Sequence, residues 1–152
     1  MRYLLILLAL IAGLLVYIRL SPMDPGRWHL DPRTAPRPST PNAWIVRDAD
    51  GDAPTARFAT SRAETARALE AVIAAAPRVA RLAGSASEGW VTYVQRSRLL
   101  GYPDAISIRL SEEGGETRVE IFSRSRFGYG DGGVNRARVT RWIEALSAAL
   151  AS

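Results

Sequence analysis

From Tyr3 to Ile18 the chain carries no charged residue and hardly a polar one, which restricts what its N-terminus can become. Backbone amides in hydrocarbon must be satisfied within the segment, so such a run is a bilayer-crossing helix or the apolar part of an export signal. With Met1 and Leu20 it approaches the roughly 20 residues that a bilayer core requires. Arg2 and Arg19 flank it where long cationic side chains reach the interface, and Tyr3 and Tyr17 fall at the aromatic belts. No Ala-x-Ala site lies between residues 19 and 30, so the expectation is a retained signal-anchor over residues 1–20. The chain has no cysteine, which excludes a lipoprotein anchor, disulfides, thiol catalysis and thiolate metal sites.

Two charge signals oppose each other on orientation. Arg2 and the amino terminus favour a cytoplasmic N-terminus. Arg19, Arg27, Arg33 and Arg37 favour a cytoplasmic domain under the positive-inside rule. Short N-terminal anchors usually export the chain beyond them, so a single-pass protein of the inner (cytoplasmic) membrane with a periplasmic domain is expected. A cytoplasmic-facing domain is the alternative.

Residues 21–41 carry Pro22, Pro25, Pro32, Pro36, Pro38 and Pro41. That density opposes regular helix and strand and favours extended chain. The segment is expected to be a semi-rigid spacer lifting the domain off the bilayer. His29, the one histidine of the chain, is expected to be solvated there, neither a base nor a metal ligand.

Residues 42–152 suffice for one ordinary core. Strands are expected at Ala43–Val46, at the edge from Thr55 to Ala59, weakly from Arg78 to Ala83, and strongly at Trp90–Ser97, Ala105–Leu110 and Thr117–Phe122. Asp48-Ala-Asp50-Gly51-Asp52 is a solvated turn. Its glycine is out of place for a calcium loop, and Ala59 stands where the bidentate glutamate belongs. Ser61 with Glu64 forms a capping box, and Ala66, Leu69, Val72, Ile73 and Ala76 share one helix face before Pro77. A last helix runs from about Arg136 to Leu150, with Val139, Ile143, Leu146 and Leu150 as its stripe. Two helices around a run of strands predict a two-layer α+β domain, its sheet largely antiparallel with two packed helices, preceded by the N-terminal transmembrane helix.

Unusual chemistry concentrates between Ser123 and Arg138. Gly128, Gly130, Gly132 and Gly133 permit tight turns, and Asn135 is placed to cap the helix after them. Ser123, Arg124, Ser125, Arg126, Asp131, Asn135 and Arg138 are candidate ligand-binding residues. Asp104 and Ser97 join them if the 98–104 loop meets the glycine-rich loop at one sheet end. One reading is an anion pocket for phosphate, carboxylate or an acidic lipid headgroup. The other is a structural corner, with Asp131 paired to Arg126, or Asp104 clamped to Arg126 or Arg124. The glycine spacing matches G-x-G-x-x-G, but that fingerprint needs a βαβ unit and one helix is expected after it here, so a dinucleotide site is not expected. With no lysine there is no phosphate-binding P-loop either.

The run Ser125-Arg126-Phe-Gly128-Tyr129-Gly-Asp131-Gly-Gly133-Val134-Asn135-Arg136-Ala-Arg138 resembles the signature of a bacterial and plant family, domain of unknown function number 1499 (DUF1499). Pro41-Asn42, Tyr93, Ser97, Tyr102 and Asp104 fit the same pattern, and the resemblance spans about residues 41–150. Ala43, Gly130 and Pro103-Asp104 depart from it, where the family often has cysteine, serine and an acidic pair. The resemblance implies a domain of the cell envelope, not an activity.

The formal charge is +5, with all 20 basic residues arginine and scattered among acids. No basic helix or aromatic-plus-basic platform suggests nucleic acid. The function expected is a non-catalytic, membrane-anchored envelope domain binding an anionic small molecule, a lipid headgroup or a protein partner. One alternative is a hydrolase using Ser123, Ser125 or Ser97 with Asp104 or Asp131 as base. Another is a purely structural or assembly domain. No catalytic residue, metal ligand or cofactor is assigned.

Overall fold

The computed structural model describes residues 1–151. An apolar helix, α1 (Arg2–Leu20), and a one-turn helix, α2 (Pro25–Trp28), precede the domain. The domain consists of β1 (Ala43–Val46), β2 (Ala56–Phe58), α3 (Arg62–Ala74), β3 (Val79–Ser85), β4 (Trp90–Arg96), β5 (Pro103–Glu113), β6 (Glu116–Ser125) and α4 (Val134–Leu150). The six strands form one antiparallel sheet in the order β1-β6-β5-β4-β3, with β2 on the same side of β6 as β1. The expected α+β class is the one observed. Gly114 and Gly115 turn β5 into β6 with φ of 62° and 83°, a left-handed pair that a two-residue hairpin loop demands.

One face of the sheet builds the main core. Val46, Val91, Ile106, Ile108, Val119 and Ile121 meet Ala66, Leu69 and Ile73 of α3 and Val139, Trp142 and Leu146 of α4. The expected cap of α3 forms, Ser61 Oγ accepting from the Glu64 amide at 3.2 Å.

The opposite face overturns the expectation of a spacer. Residues 21–41 lie across the sheet as a strap. Met23, with Trp28 beside it, covers Val94 and Ala105, and Ala35, with Leu30 beside it, covers Ile45 and Phe122. The strands are apolar on both faces here, and an uncovered second face would leave Ile45 and Phe122 in water. Proline supplies no N–H, so a proline-rich strap presents carbonyls without matching donors. Arginines of the domain fill that deficit. Arg96 donates to Ser21 O at 2.8 Å, Arg126 to Pro22 O, Arg124 to Trp28 O, and Arg47 to Pro32 O and Ala35 O at 2.9 and 2.8 Å. Burial pulls the Arg124 guanidinium down to a pKa of about 10, still cationic at neutral pH.

His29 is likewise half-buried against the sheet and not free in solvent. It stacks on Trp90 at 4.0 Å, with Nδ1 2.8 Å from Thr92 Oγ1. Burial, and then the Arg124 charge, lower its pKa against the opposing pull of Asp31.

Glu120 lies buried on this strapped face, with one oxygen 3.1 Å from Arg118 and the other without a hydrogen-bond partner. Burial raises its pKa, and Arg118 and Arg33 only partly oppose that. A carboxyl with a raised native pKa holds its proton in the folded chain after the unfolded chain has lost it. Stability from this group therefore falls as pH rises from the ordinary glutamate range through the raised value. Glu120→Gln is expected to remove that loss, so its melting temperature relative to wild type should climb between pH 4 and 7 in parallel melts. A difference flat with pH would show that Glu120 ionises without penalty.

Candidate functional site: a buried polar corner

Alternation along β6 decides which of the expected site residues can meet. Ser123 and Ser125 face α4, while Arg124 between them faces the strap. Ser125 stands opposite Asp104 of β5, and Asp104 opposite Gln95 of β4, so three polar side chains line up across three strands. α4 crosses this row with Asn135 and Arg138, one helical turn apart.

Arg138 is the centre of the corner. Its Nη2 meets Asp104 Oδ2 at 2.6 Å, its Nη1 donates to Ser123 Oγ at 3.0 Å and to Asn135 Oδ1 at 2.7 Å, and its Nε donates to Gln95 Oε1 at 2.5 Å. Ser123 Oγ donates in turn to Asn135 Oδ1 at 2.6 Å. Asn135 is fully buried, and its Nδ2 lies within 3.0 Å of Asn42 O, Ser125 Oγ and Asp131 Oδ2. Asn42 Nδ2 then donates to Gly128 O at 2.7 Å, tying the chain before β1 to the glycine-rich loop.

Several expected roles change. Asn135 does not cap α4. It lies inside the first turn, the N-cap is Gly133, and Asp131, two residues earlier, accepts from the amides of Gly133 and Asn135 at 2.9 and 2.8 Å. Burial alone would raise the Asp131 pKa; these amides and the Asn135 side chain outweigh it and hold the carboxyl below the usual range. The chain's own carboxylate thus occupies the helix N-terminus that an anion was expected to take. Asp131 does not pair with Arg126, which instead holds Pro22 O and lies over Phe127. Asp104 pairs with neither Arg124 nor Arg126 but with Arg138, because Arg124 is on the other side of the sheet and Arg126 has turned toward the strap.

The two loops do meet at one sheet end. Ser97, Tyr102, Asp104, Ser125, Gly128 and Asp131 border a cleft of about 530 Å³ there. Ser97 itself closes the β4–β5 loop, its Oγ accepting from the Tyr102 amide at 3.0 Å. A second cleft, about 790 Å³, opens on the helix side of the Asp104–Arg138 pair, between the C-terminal end of α3, α4 and the ends of β3 and β4. Arg78, Arg98 and Arg141 stand exposed along it, and none of the three enters an ion pair among the described residues. Arg78 is the one non-glycine residue there with positive φ, 57°.

Sequence reasoning missed Gln95 and Arg141. Gln95 was visible as a polar residue two positions after Tyr93, on the buried side of a strand. Arg141, one turn after Arg138 on α4, was visible as the same helix face continued.

No group of three or more His, Asp or Glu side chains is arranged to hold a metal ion among the described residues. None of Ser97, Ser123 and Ser125 hydrogen-bonds to a carboxylate or imidazole there, and His29 lies across the sheet.

An apolar helix long enough to cross a membrane, preceding an antiparallel α+β domain with a buried Asp–Arg–Asn–Ser corner, defines the class of protein. The chain belongs to the family described as protein of unknown function (DUF1499), whose model matches residues 32–146. No curated protein matches the chain.

Proposed function

We propose that the protein is a membrane-anchored envelope domain that binds an anionic ligand, or an acidic group of a protein partner, without catalysing a reaction on it. α1 holds it in the cytoplasmic membrane, with the domain on the periplasmic side. The observation that carries the binding reading is the imbalance of charge in the 790 Å³ cleft. Arg78, Arg96, Arg98, Arg138 and Arg141 line it against Asp104 and Glu144, and the pairing of Arg138 with Asp104 leaves the rim arginines uncompensated. Guanidinium groups held around a concave surface suit phosphate and carboxylate. In this reading the family signature holds the floor of the cleft, and Arg98 and Arg141 touch the ligand. The serines of the corner, spent on amide, guanidinium and backbone groups, support binding over hydrolysis.

The full chain in detergent, melted with inorganic phosphate, phosphate monoesters and dicarboxylates, tests this. A probe at about 100 times its dissociation constant should add about 2.7 kcal/mol, a shift of several degrees. The Arg98→Ala/Arg141→Ala variant should melt like wild type alone and lose the shift. No shift with any probe, or a shift that survives in the double variant, sinks the cleft as a ligand site.

A further inference from the structure

α1 has no length to spare. Its 19 residues rise about 28 Å at roughly 1.5 Å each, against a hydrocarbon core of about 30 Å. Where α1 spans the bilayer, its last turn ends at the edge of the hydrocarbon. The domain does not stand off from that turn. Ile18 is buried, and Tyr17 meets Phe127 edge-on at 6.2 Å. Arg19 lies against Gly101, and Arg96 holds Ser21 O at 2.8 Å. The rest of α1 is exposed and projects free of the domain. With the strap folded back on the sheet, nothing lifts the domain away, so whatever surrounds Tyr17–Leu20 lies in the headgroup layer.

The features gathered there suit that layer. Leu99, 81 % exposed, and Leu100 project from the β4–β5 loop. A groove of about 580 Å³ runs from the last turn of α1 along β3 and β4, with Leu20, Met23, Leu82 and Val94 in its apolar lining. Its polar part is Arg19, Arg78, Arg81, Arg96 and Arg98 with Ser97, and no acidic residue lines it. None of the five arginines enters an ion pair among the described residues.

We infer that this end of the domain is a membrane-docking surface: the arginine-lined groove takes the headgroup of an anionic phospholipid from the bilayer that α1 crosses, while Leu99 enters the interface. The inference rests on the anchoring part of the function proposed above; the groove shares Arg78, Arg96 and Arg98 with the helix-side cleft, while Arg19 and Arg81 line the groove alone. Apolar lining beside guanidinium groups matches a lipid, which brings acyl chain and phosphate together. Continuity with the end of α1 places both at the right depth. Juxtamembrane arginines near an anionic surface each strengthen association by roughly fivefold. The same contacts fix the tilt of the domain, so the face bearing the β5–β6 hairpin points away from the membrane.

The absence of native cysteine makes the test direct. Full-length Leu99→Cys, Leu10→Cys and Glu116→Cys, each carrying an environment-sensitive fluorophore, are reconstituted in phosphatidylcholine vesicles with and without phosphatidylglycerol. Quenching by spin-labelled lipid is then read. Leu10, in α1, should be quenched in both, and Glu116, beside the hairpin tip, in neither. Leu99 should be quenched, more strongly with phosphatidylglycerol, and Arg19→Gln/Arg81→Gln, which leaves the helix-side cleft intact, should cut that increment. A quenched Leu10 label with Leu99 as unquenched as Glu116 overturns the docking surface and leaves the anchor standing. An unquenched Leu10 label overturns the anchor, and the docking inference with it. Leu99 quenching indifferent to phosphatidylglycerol overturns the headgroup site.

Discussion

Arg138→Ala is expected to lower the stability of the domain by about 3–5 kcal/mol, because it strands a buried carboxylate rather than merely deleting a contact. Asp104 would keep its place under α4 with no cation in reach. Ser123 Oγ, Asn135 Oδ1 and Gln95 Oε1 would each lose a donor. For a domain of this size the loss corresponds to a fall in melting temperature of roughly 10–20 °C. Asp104→Ala/Arg138→Ala should cost less than the sum of its two single changes, since neither buried charge is then left alone. Thermal melts of the four proteins by circular dichroism decide the matter. A single variant within about 1 kcal/mol of wild type would mean that the guanidinium is not committed to the fold and is free to meet a ligand, which would reverse the division of labour proposed between corner and rim.

The second large effect concerns where the domain begins. A chain starting at residue 42 keeps every strand together with α3 and α4, and is the natural cut if the proline-rich segment is a spacer. It is expected not to fold stably. Removing the strap uncovers Ile45 and Phe122, at about 1.5–3 kcal/mol for each buried side chain, and leaves the Arg124 guanidinium without its Trp28 carbonyl. Together these approach the whole stability of an ordinary domain, roughly 5–15 kcal/mol. A chain starting at residue 22 retains the cover and should melt cooperatively, while the shorter one should bind a hydrophobic dye and lack a sharp transition. Equal cooperativity in the two would sink the strap as part of the core. The His29 contact adds a pH signature. Its lowered pKa means that stability from docking it neutral is present above about pH 6.5 and is lost as pH falls below that toward the lowered value.

The strands and helices were legible because their patterns are local. Alternation in Ala105–Leu110 and the Ser61–Glu64 cap announce themselves within a few residues, and the elements lie where expected to within a few residues at each end. The strap was not legible, for a physical reason. Proline density specifies what the backbone cannot do and says nothing of what it lies against. Its clue was elsewhere, in Phe122 and Val94 on the face opposite Ile121 and Tyr93, which gives the strands a second apolar side that requires a cover. The candidate site was half legible. Ser123, Asn135, Arg138 and Asp104 of the corner stood among the candidates but Gln95 did not, and Arg124 and Arg138 went into one group although a sheet separates them.

By itself the sequence determined the anchor-like helix, the α+β class and the concentration of polar groups between Ser123 and Arg138, since each comes from spacing along the chain. Tertiary structure decided which charge meets which: Asp104 with Arg138, Asp131 with the start of α4, Arg124 with the strap. Those partners are distant in sequence, and several cations were within equal reach on paper. The pleat of β6, which sends neighbouring residues to opposite faces, and the crossing of α4 over Asp104 made the choice.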